Sequence, residues 1–91
     1  MYKLIFTDDA EEDMLRLQKS GDMRAFNRLV LLLEELRIHP KKGKGMPKRL
    51  KHLPGNQWAR RISRKHRLVY EIFEKIITIE IQQTWGHYHD K

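Results

Sequence analysis

Ninety-one residues, 40% of them hydrophobic and 34% charged, make one soluble domain spanning 1–91, with a thin core that buries roughly 60–70% of the unfolded surface. The lack of cysteine excludes a disulfide framework and a thiolate zinc site. No apolar run approaches the ~20 residues that span a bilayer, and acids at 8 and 9 come too early for a signal peptide, so a cytoplasmic protein is expected. A net charge of +7 with a pI near 9.9 favours an anionic partner, whether RNA, DNA or an acidic protein.

Tyr2 to Phe6 is short, apolar and partly aromatic, and reads as a strand. Thr7 or Asp8 then caps a helix. Asp8 and Glu11 have the spacing of a capping box, and the acids at 8, 9, 11 and 12 suit the positive helix start. Ala10, Met14 and Leu17 give that helix one buried face. Ser20-Gly21-Asp22 stops it and starts a second, from Asp22 to Arg37, with an apolar stripe of Phe26, Leu29, Val30, Leu33 and Leu36. Leu31 and Leu32 widen the stripe toward a second contact surface, and His39-Pro40 ends the helix.

Residues 41–47 form a loop around Gly43, Gly45 and Pro47 that lacks the spacing of a phosphate-binding P-loop. Lys48 to Leu53 holds a short strand, and Pro54-Gly55-Asn56 a turn. Gln57 to Ser63 alternates, with Trp58, Arg60 and Ile62 on one side and Ala59, Arg61 and Ser63 on the other. Arg64-Lys65 marks a tight turn. Arg67 to Phe73 and Ile76 to Thr84 are strands joined near Glu74-Lys75, the second with Ile77, Ile79 and Ile81 on its buried face. The expected class is α+β: an N-terminal strand, a two-helix hairpin, then three or four strands in a mostly antiparallel sheet covered by helices on one face.

Charge is segregated along this order. Residues 36–70 hold twelve Lys or Arg and no acid, a local charge of +12, while the remainder carries −5. A small body with one sign of charge on one side focuses a field that attracts a polyanion. Trp58, Ile62, Leu68, Val69 and Tyr70 lie in the same segment and belong to a core, so ordered strands must hold part of the charge.

Metal chemistry is poorly supported, because His87-x-His89 with Asp90 is terminal and has no further ligands nearby. A Ser-His-Asp site lacks a nucleophile elbow. What remains is cationic and aromatic, with histidines. Arg61 and Arg67 on adjacent strands, Lys48 and Lys51 beside them, and His87 and Tyr88 from the tail suit metal-independent RNA cleavage. There the 2′-hydroxyl attacks the adjacent phosphorus, cations stabilise the phosphoryl charge, and histidine serves as acid or base. Each residue also has a plain structural reading: Arg60 and Arg61 as strand-surface cations, His66 as an exposed turn residue, Trp58 and Tyr70 as core.

Taken together, Gly43-Lys-Gly-Met-Pro47, Leu50-Lys-His52, Trp58-Ala-Arg-Arg-Ile62, His66-Arg-Leu-Val-Tyr70 and the terminal His87-Tyr88 resemble the YoeB/Txe toxins, part of the RelE/ParE superfamily of type II toxin–antitoxin modules. The resemblance implies a RelE-like fold and a ribosome-dependent mRNA endonuclease. Such an enzyme works in the A site of the 70S ribosome without a cofactor and usually leaves a cyclic phosphate. It also implies a YefM/Axe-like antitoxin with a flexible acidic segment, and a homodimer or toxin–antitoxin hetero-oligomer. On that basis Arg67 steadies the phosphoryl charge, His87 protonates the leaving oxygen with His89 as a spare, and Tyr88 orients or stacks on the substrate. Lys51 and Arg61 hold phosphates, with Lys44, Arg49 and His52 as further RNA contacts.

One departure matters. The family's Gly-x-Gly-x-Pro-Glu supplies a carboxylate base, and here Lys48 follows Pro47. Either neighbouring cations favour the neutral amine and Lys48 becomes the base, or another group such as His52 activates the hydroxyl, or the enzyme is slow. The alternative reading is a weak or inactive relative acting by antitoxin or operator binding. A gyrase-poisoning relative of the ParE type is a third, against which His66-Arg67 and His87-Tyr88 argue.

Overall fold

A computed structural model of the chain describes residues 1–86, so His87, Tyr88 and His89 lie outside the described residues. Strand β1 (Lys3–Phe6) leads into helices α1 (Asp8–Lys19) and α2 (Met23–Leu36). Strands β2 (Lys48–Arg49), β3 (Gln57–Arg61), β4 (Arg67–Phe73) and β5 (Thr78–Gln83) come next, with a 3-10 turn at Glu74–Ile76. The five strands form one sheet in the order β1-β5-β4-β3-β2. Pairs β2–β3, β3–β4 and β4–β5 are antiparallel, and β1 joins β5 in parallel. The expected α+β class and mostly antiparallel sheet are therefore present. The parallel pair arises where no hairpin turn links the partners, since the helical hairpin and three strands intervene.

Thr7 is the cap of α1, its hydroxyl accepting from the Ala10 amide at 3.1 Å, and Asp22 does the same for α2 through the Ala25 amide at 3.1 Å. The Asp8–Glu11 capping box is displaced because the helix begins one residue earlier than that spacing assumes. The buried side of α2 is Ala25, Leu29, Leu32, Leu33 and Leu36, whereas Val30 and Leu31 face outward, Leu31 at 53% exposure. The stripe is thus rotated from the expected one, because the sheet and α1 cover the line through 25, 29, 32 and 36.

The helices pack on the sheet face presenting Ile62, Leu68, Tyr70, Ile72, Ile79 and Ile81. The opposite face carries only a small cluster of Leu50, Ala59 and Val69, with Leu53 against it. At Val69/Tyr70 the register slips by one residue, pairing Tyr70 with Ile81 but Val69 with Gln83. Such a bulge bends the strand and re-aims the side chains on either side of it.

Four strands are shorter than expected, β1 (Lys3–Phe6) and β3 (Gln57–Arg61) by one or two residues and β2 and β5 by more. β2 covers only Lys48–Arg49, with a turn beginning at Lys51, and β5 starts at Thr78 instead of Ile76. Ile77 is not part of the buried isoleucine face: it lies left-handed at φ 48 and is 52% exposed, closing the β4–β5 reversal. A β-branched residue is strained there by about 1–2 kcal/mol. Ile77→Gly accordingly raises stability by about 0.5–1 kcal/mol in urea titration, after the entropy cost of glycine is subtracted. A loss of stability would show that Ile77 makes a compensating contact.

Candidate active site

The helix-free face of the sheet holds a cleft of about 460 Å³ where β2, β3 and β4 meet the 43–47 loop. Its lining includes Lys48, Arg61 and Arg67, with Ala59 on the floor and Gly45, Met46 and Pro47 along one wall. Register explains the gathering. Lys48 pairs with Ala59 and Arg61 with Arg67, so period-2 alternation sends these cations to one side of the sheet. Lys48 and Arg61 are exposed and Arg67 is half-buried. The Arg67 guanidinium is braced through Nη1, which donates to the carbonyls of Ser63 at 2.9 Å and His66 at 3.2 Å.

The loop wall rests on backbone rather than on side chains. The Arg61 amide donates to the Gly45 carbonyl at 2.7 Å, continuing the edge of β3 beyond β2. Gly45 is left-handed at φ 81, and a Cβ there would meet the Arg61 carbonyl oxygen at 3.0 Å, so only glycine fits. Met46 is next at φ 51 and is 65% exposed, a strained residue on the rim of the cleft.

Behind the cleft lies a charge network on the opposite side of β3. Arg60 is fully buried and its guanidinium organises the whole 39–44 segment. Nη1 donates to the Glu35 carboxylate and to the Lys44 carbonyl at 3.1 Å. Nη2 donates to the carbonyls of His39 and of Lys42, the latter at 2.9 Å, and Nε donates to the Tyr70 hydroxyl at 3.2 Å. That hydroxyl in turn donates to the Pro40 carbonyl at 2.7 Å. Glu35 also accepts from the Lys44 amide at 2.7 Å, and its carboxylate fills the space where a Cβ on Gly43 would stand. Burial pushes the Tyr70 phenol above its usual range, with Arg60 opposing, so it remains a donor at neutral pH.

Arg60 is therefore not a strand-surface cation. Its alternation with Trp58 and Ile62 already pointed it inward, and only tertiary folding supplies the acid and carbonyls that it needs. Tyr70 is core, as expected, and Trp58 is partly buried, its indole N–H donating to Asn56 Oδ1 at 2.9 Å. His66 is buried at 6% exposure, not an exposed turn residue, because its ring packs on Trp85.

The remaining expected site residues are dispersed among the described elements. Arg49 pairs with Trp58, one position out of phase with Lys48, and its guanidinium reaches the Gly55 carbonyl at 3.4 Å. Lys51 and His52 are exposed in the turn after β2 and do not line the cleft. Lys44 is exposed and contributes its main chain to the Arg60–Glu35 network. His87 and Tyr88 fall outside the described residues, as does the His87–His89–Asp90 group.

A family model described as the YoeB-like toxin of bacterial type II toxin–antitoxin systems matches residues 6–88. The chain belongs to that family. It is a YoeB-like toxin of a type II toxin–antitoxin system. Toxin YoeB of Escherichia coli K12 is 36% identical over 77 residues, covering 85% of this chain and 90% of the relative. Among solved structures, the YoeB/ParE toxin from Agrobacterium tumefaciens superimposes with a TM-score of 0.85 at 30% identity, over 94% of this chain and 99% of the other. YoeB in the heterotetrameric YoeB–YefM complex from Staphylococcus aureus gives 0.79 at 28% identity, over 97% and 99%. The strand–helix–helix–strand order of these YoeB toxins is thus shared along the chain, and the RelE-like fold expected from the motifs is present. Two features are not legible in the sequence: the Arg60 network, signalled only by alternation, and the burial of His66, which patterning does not signal at all.

Proposed function

We propose that this YoeB-family chain is a ribosome-dependent mRNA endonuclease that cuts without a metal ion. The observation that carries the reading is the convergence of Lys48, Arg61 and Arg67 on one cleft of the helix-free face. In the reaction the 2′-hydroxyl loses its proton and attacks the adjacent phosphorus. Negative charge grows on the phosphoryl oxygens, facing the half-buried Arg67 and the exposed Arg61. The 5′-oxygen leaves with a proton, giving a 2′,3′-cyclic phosphate and a 5′-hydroxyl. His87, with His89 in reserve, is the proposed acid and Tyr88 the proposed base-stacking or orienting residue. Lys48 at the cleft and His52 nearer the β2–β3 turn are the candidates for the base. Lys51, Lys44 and Arg49 bring cations to the surroundings, where they steer RNA and ribosome rather than touch the scissile group.

Primer extension on a message after induced expression, compared with translation extracts containing purified toxin, tests the proposal. Discrete cuts in codons under translation are expected, and an intact message with active ribosomes would refute it. Lys48→Glu separates the readings of the altered base position. If Lys48 works in catalysis, the variant loses roughly 10²-fold or more in cleavage. A gain of that size would mark the natural cleft as a degenerate site whose main task is binding.

The partner that controls this activity is proposed to be a YefM-like antitoxin with an acidic segment, by likeness to the S. aureus complex. A groove of about 710 Å³ between the first half of α2 and the β3–β4 turn suits that segment. Arg24, Arg28, Arg64 and Lys65 outweigh the one acid in its lining, Asp22, and the exposed Leu31 with Ala25 and Ile62 adds apolar surface. Leu31→Asp combined with Arg28→Glu is expected to weaken antitoxin binding by about 10²-fold in titration calorimetry. Binding of the natural pair raises the melting temperature of the toxin by mass action. Undiminished affinity would move the antitoxin to another face.

A further inference from the structure

The chain leaving β5 is held by several specific contacts among the described residues. The Thr84 amide donates to Asp13 Oδ2 of α1 at 3.1 Å, and Gln83 Nε2 donates to the Trp85 carbonyl at 2.9 Å. The Trp85 ring lies under the Arg16 guanidinium at 4.1 Å and against the His66 imidazole, with centroids 4.2 Å apart. Gly86 is bonded on both sides of its residue. Its carbonyl accepts from the Arg67 amide at 2.8 Å, and its amide donates to His66 Nδ1 at 2.9 Å. Gly86 is left-handed at φ 75, a turn that L side chains resist.

His66 is itself fixed by the β3–β4 hairpin. Its amide donates to Ser63 Oγ at 3.2 Å, and its carbonyl accepts from the Ile62 amide at 3.1 Å and from Arg67 Nη1. An imidazole that accepts at Nδ1 carries its proton at Nε2, so the contact selects one neutral tautomer. The same residue thus accepts from the guanidinium that faces the cleft, through its main chain, and from the backbone that precedes His87, through its ring.

We propose that His66 is a positioning residue, whose neutral imidazole seats the Trp85–Gly86 segment beside Arg67 and thereby fixes the backbone next to the guanidinium that faces the cleft. The proposal rests on the nuclease reading for its catalytic consequence and on the Gly86 contact for its structural one. His66 does not meet substrate. It acts through Gly86, and so its loss lowers the rate of cleavage more than the affinity for the ribosome. Among the described residues, Arg67 Nη1 donates to the His66 carbonyl, Arg16 of α1 stands over the Trp85 ring against which the imidazole packs, and Asp13 of α1 accepts from the Thr84 amide.

The test compares wild type with His66→Phe, which keeps a ring against Trp85 but lacks the acceptor, and with His66→Asn, whose side-chain oxygen can stand near the Nδ1 position. In His66→Phe, exchange of the Gly86 amide with solvent is expected to accelerate about tenfold, the loss of one hydrogen bond, and His66→Asn to recover most of the protection. Imidazole nitrogen spectra of the wild type should show Nδ1 as acceptor and Nε2 protonated. Single-turnover cleavage at saturating toxin falls by about 10²-fold in His66→Phe, with ribosome binding unchanged, and returns in His66→Asn. Wild-type cleavage in His66→Phe, equal Gly86 exchange in the two proteins, or the opposite tautomer would each overturn the proposal. If the wild type itself cuts no message, the nuclease reading fails separately, and the Gly86 exchange and nitrogen spectra still decide whether His66 seats this segment.

Discussion

Arg60→Met lowers the unfolding free energy by about 3 kcal/mol or more, a large share of what a 91-residue domain possesses. The replacement fills similar volume with an apolar chain, but it removes the donors serving the carbonyls of His39, Lys42 and Lys44 and leaves Glu35 without its buried partner. The measurement is urea denaturation monitored through tryptophan fluorescence, with the Arg60→Met, Glu35→Gln and double variants forming a cycle. A double variant no worse than Arg60→Met alone is expected, because the two groups act as one unit. A loss under ~1 kcal/mol for Arg60→Met would mean that the 39–44 segment is held by something else.

The same cycle has a pH signature. Burial raises the Glu35 carboxyl, but the Lys44 amide, the Arg60 bond and the charges of both cations outweigh it and hold the group below its ordinary value of 4.5. A carboxyl depressed on folding contributes stability that is complete above the unfolded value near 4.5 and fades as pH falls through the lower folded value. The gap between wild type and Glu35→Gln should therefore be widest at neutral pH and narrow below 4.5. Because Glu35 keeps 26% of its side-chain surface exposed, solvent screens part of this contribution. A gap independent of pH would place the stabilisation in packing instead of charge.

Arg67→Ala abolishes most cleavage, by about 10²–10³-fold in single-turnover rate, while changing stability little. The guanidinium is half-buried and braced by two carbonyls, whereas Lys48 and Arg61 are exposed and Arg60, also in the lining, is fully buried in the Glu35 network. A donor fixed before the reaction stabilises growing charge without a reorganisation cost, whereas the exposed Arg61 and Lys48 must each be ordered. Arg61→Ala should consequently lose about tenfold or less, and much of that through weaker binding at raised salt. Rates for all variants come from quenched cleavage of a defined message on programmed ribosomes, with affinity measured separately. An Arg61→Ala defect exceeding that of Arg67→Ala would transfer the central role to the exposed side chain.

Arg67 and Arg60 differ in how early they can be recognised, and the difference is physical. Alternation along Gln57 to Ser63 is a local property, so opposite faces for Arg60 and Arg61 follow from the chain alone. That Arg60 is buried with a partner, instead of displaced to the surface, depends on Glu35 twenty-five residues earlier and on carbonyls of a loop without periodicity.

Local patterning by itself determined the order of strands and helices, the start of α2 at Asp22, the class of fold and the cationic segment between residues 36 and 70, because these express propensity, period and charge, while the α1 cap and the strand ends awaited the fold. The short family motifs in that segment were enough to name the kind of toxin. Only the tertiary structure decided which cations share the cleft. Strand register joins Lys48 to Ala59 and Arg61 to Arg67, while Lys51 and His52 are turned elsewhere by the early end of β2 and Arg49, paired with Trp58, by alternation within it. The bulge at Val69/Tyr70, the left-handed Ile77 and the seating of Gly86 on His66 belong to the same class. They arise where segments distant in sequence compete for hydrogen bonds and space, and no local period encodes the outcome of that competition.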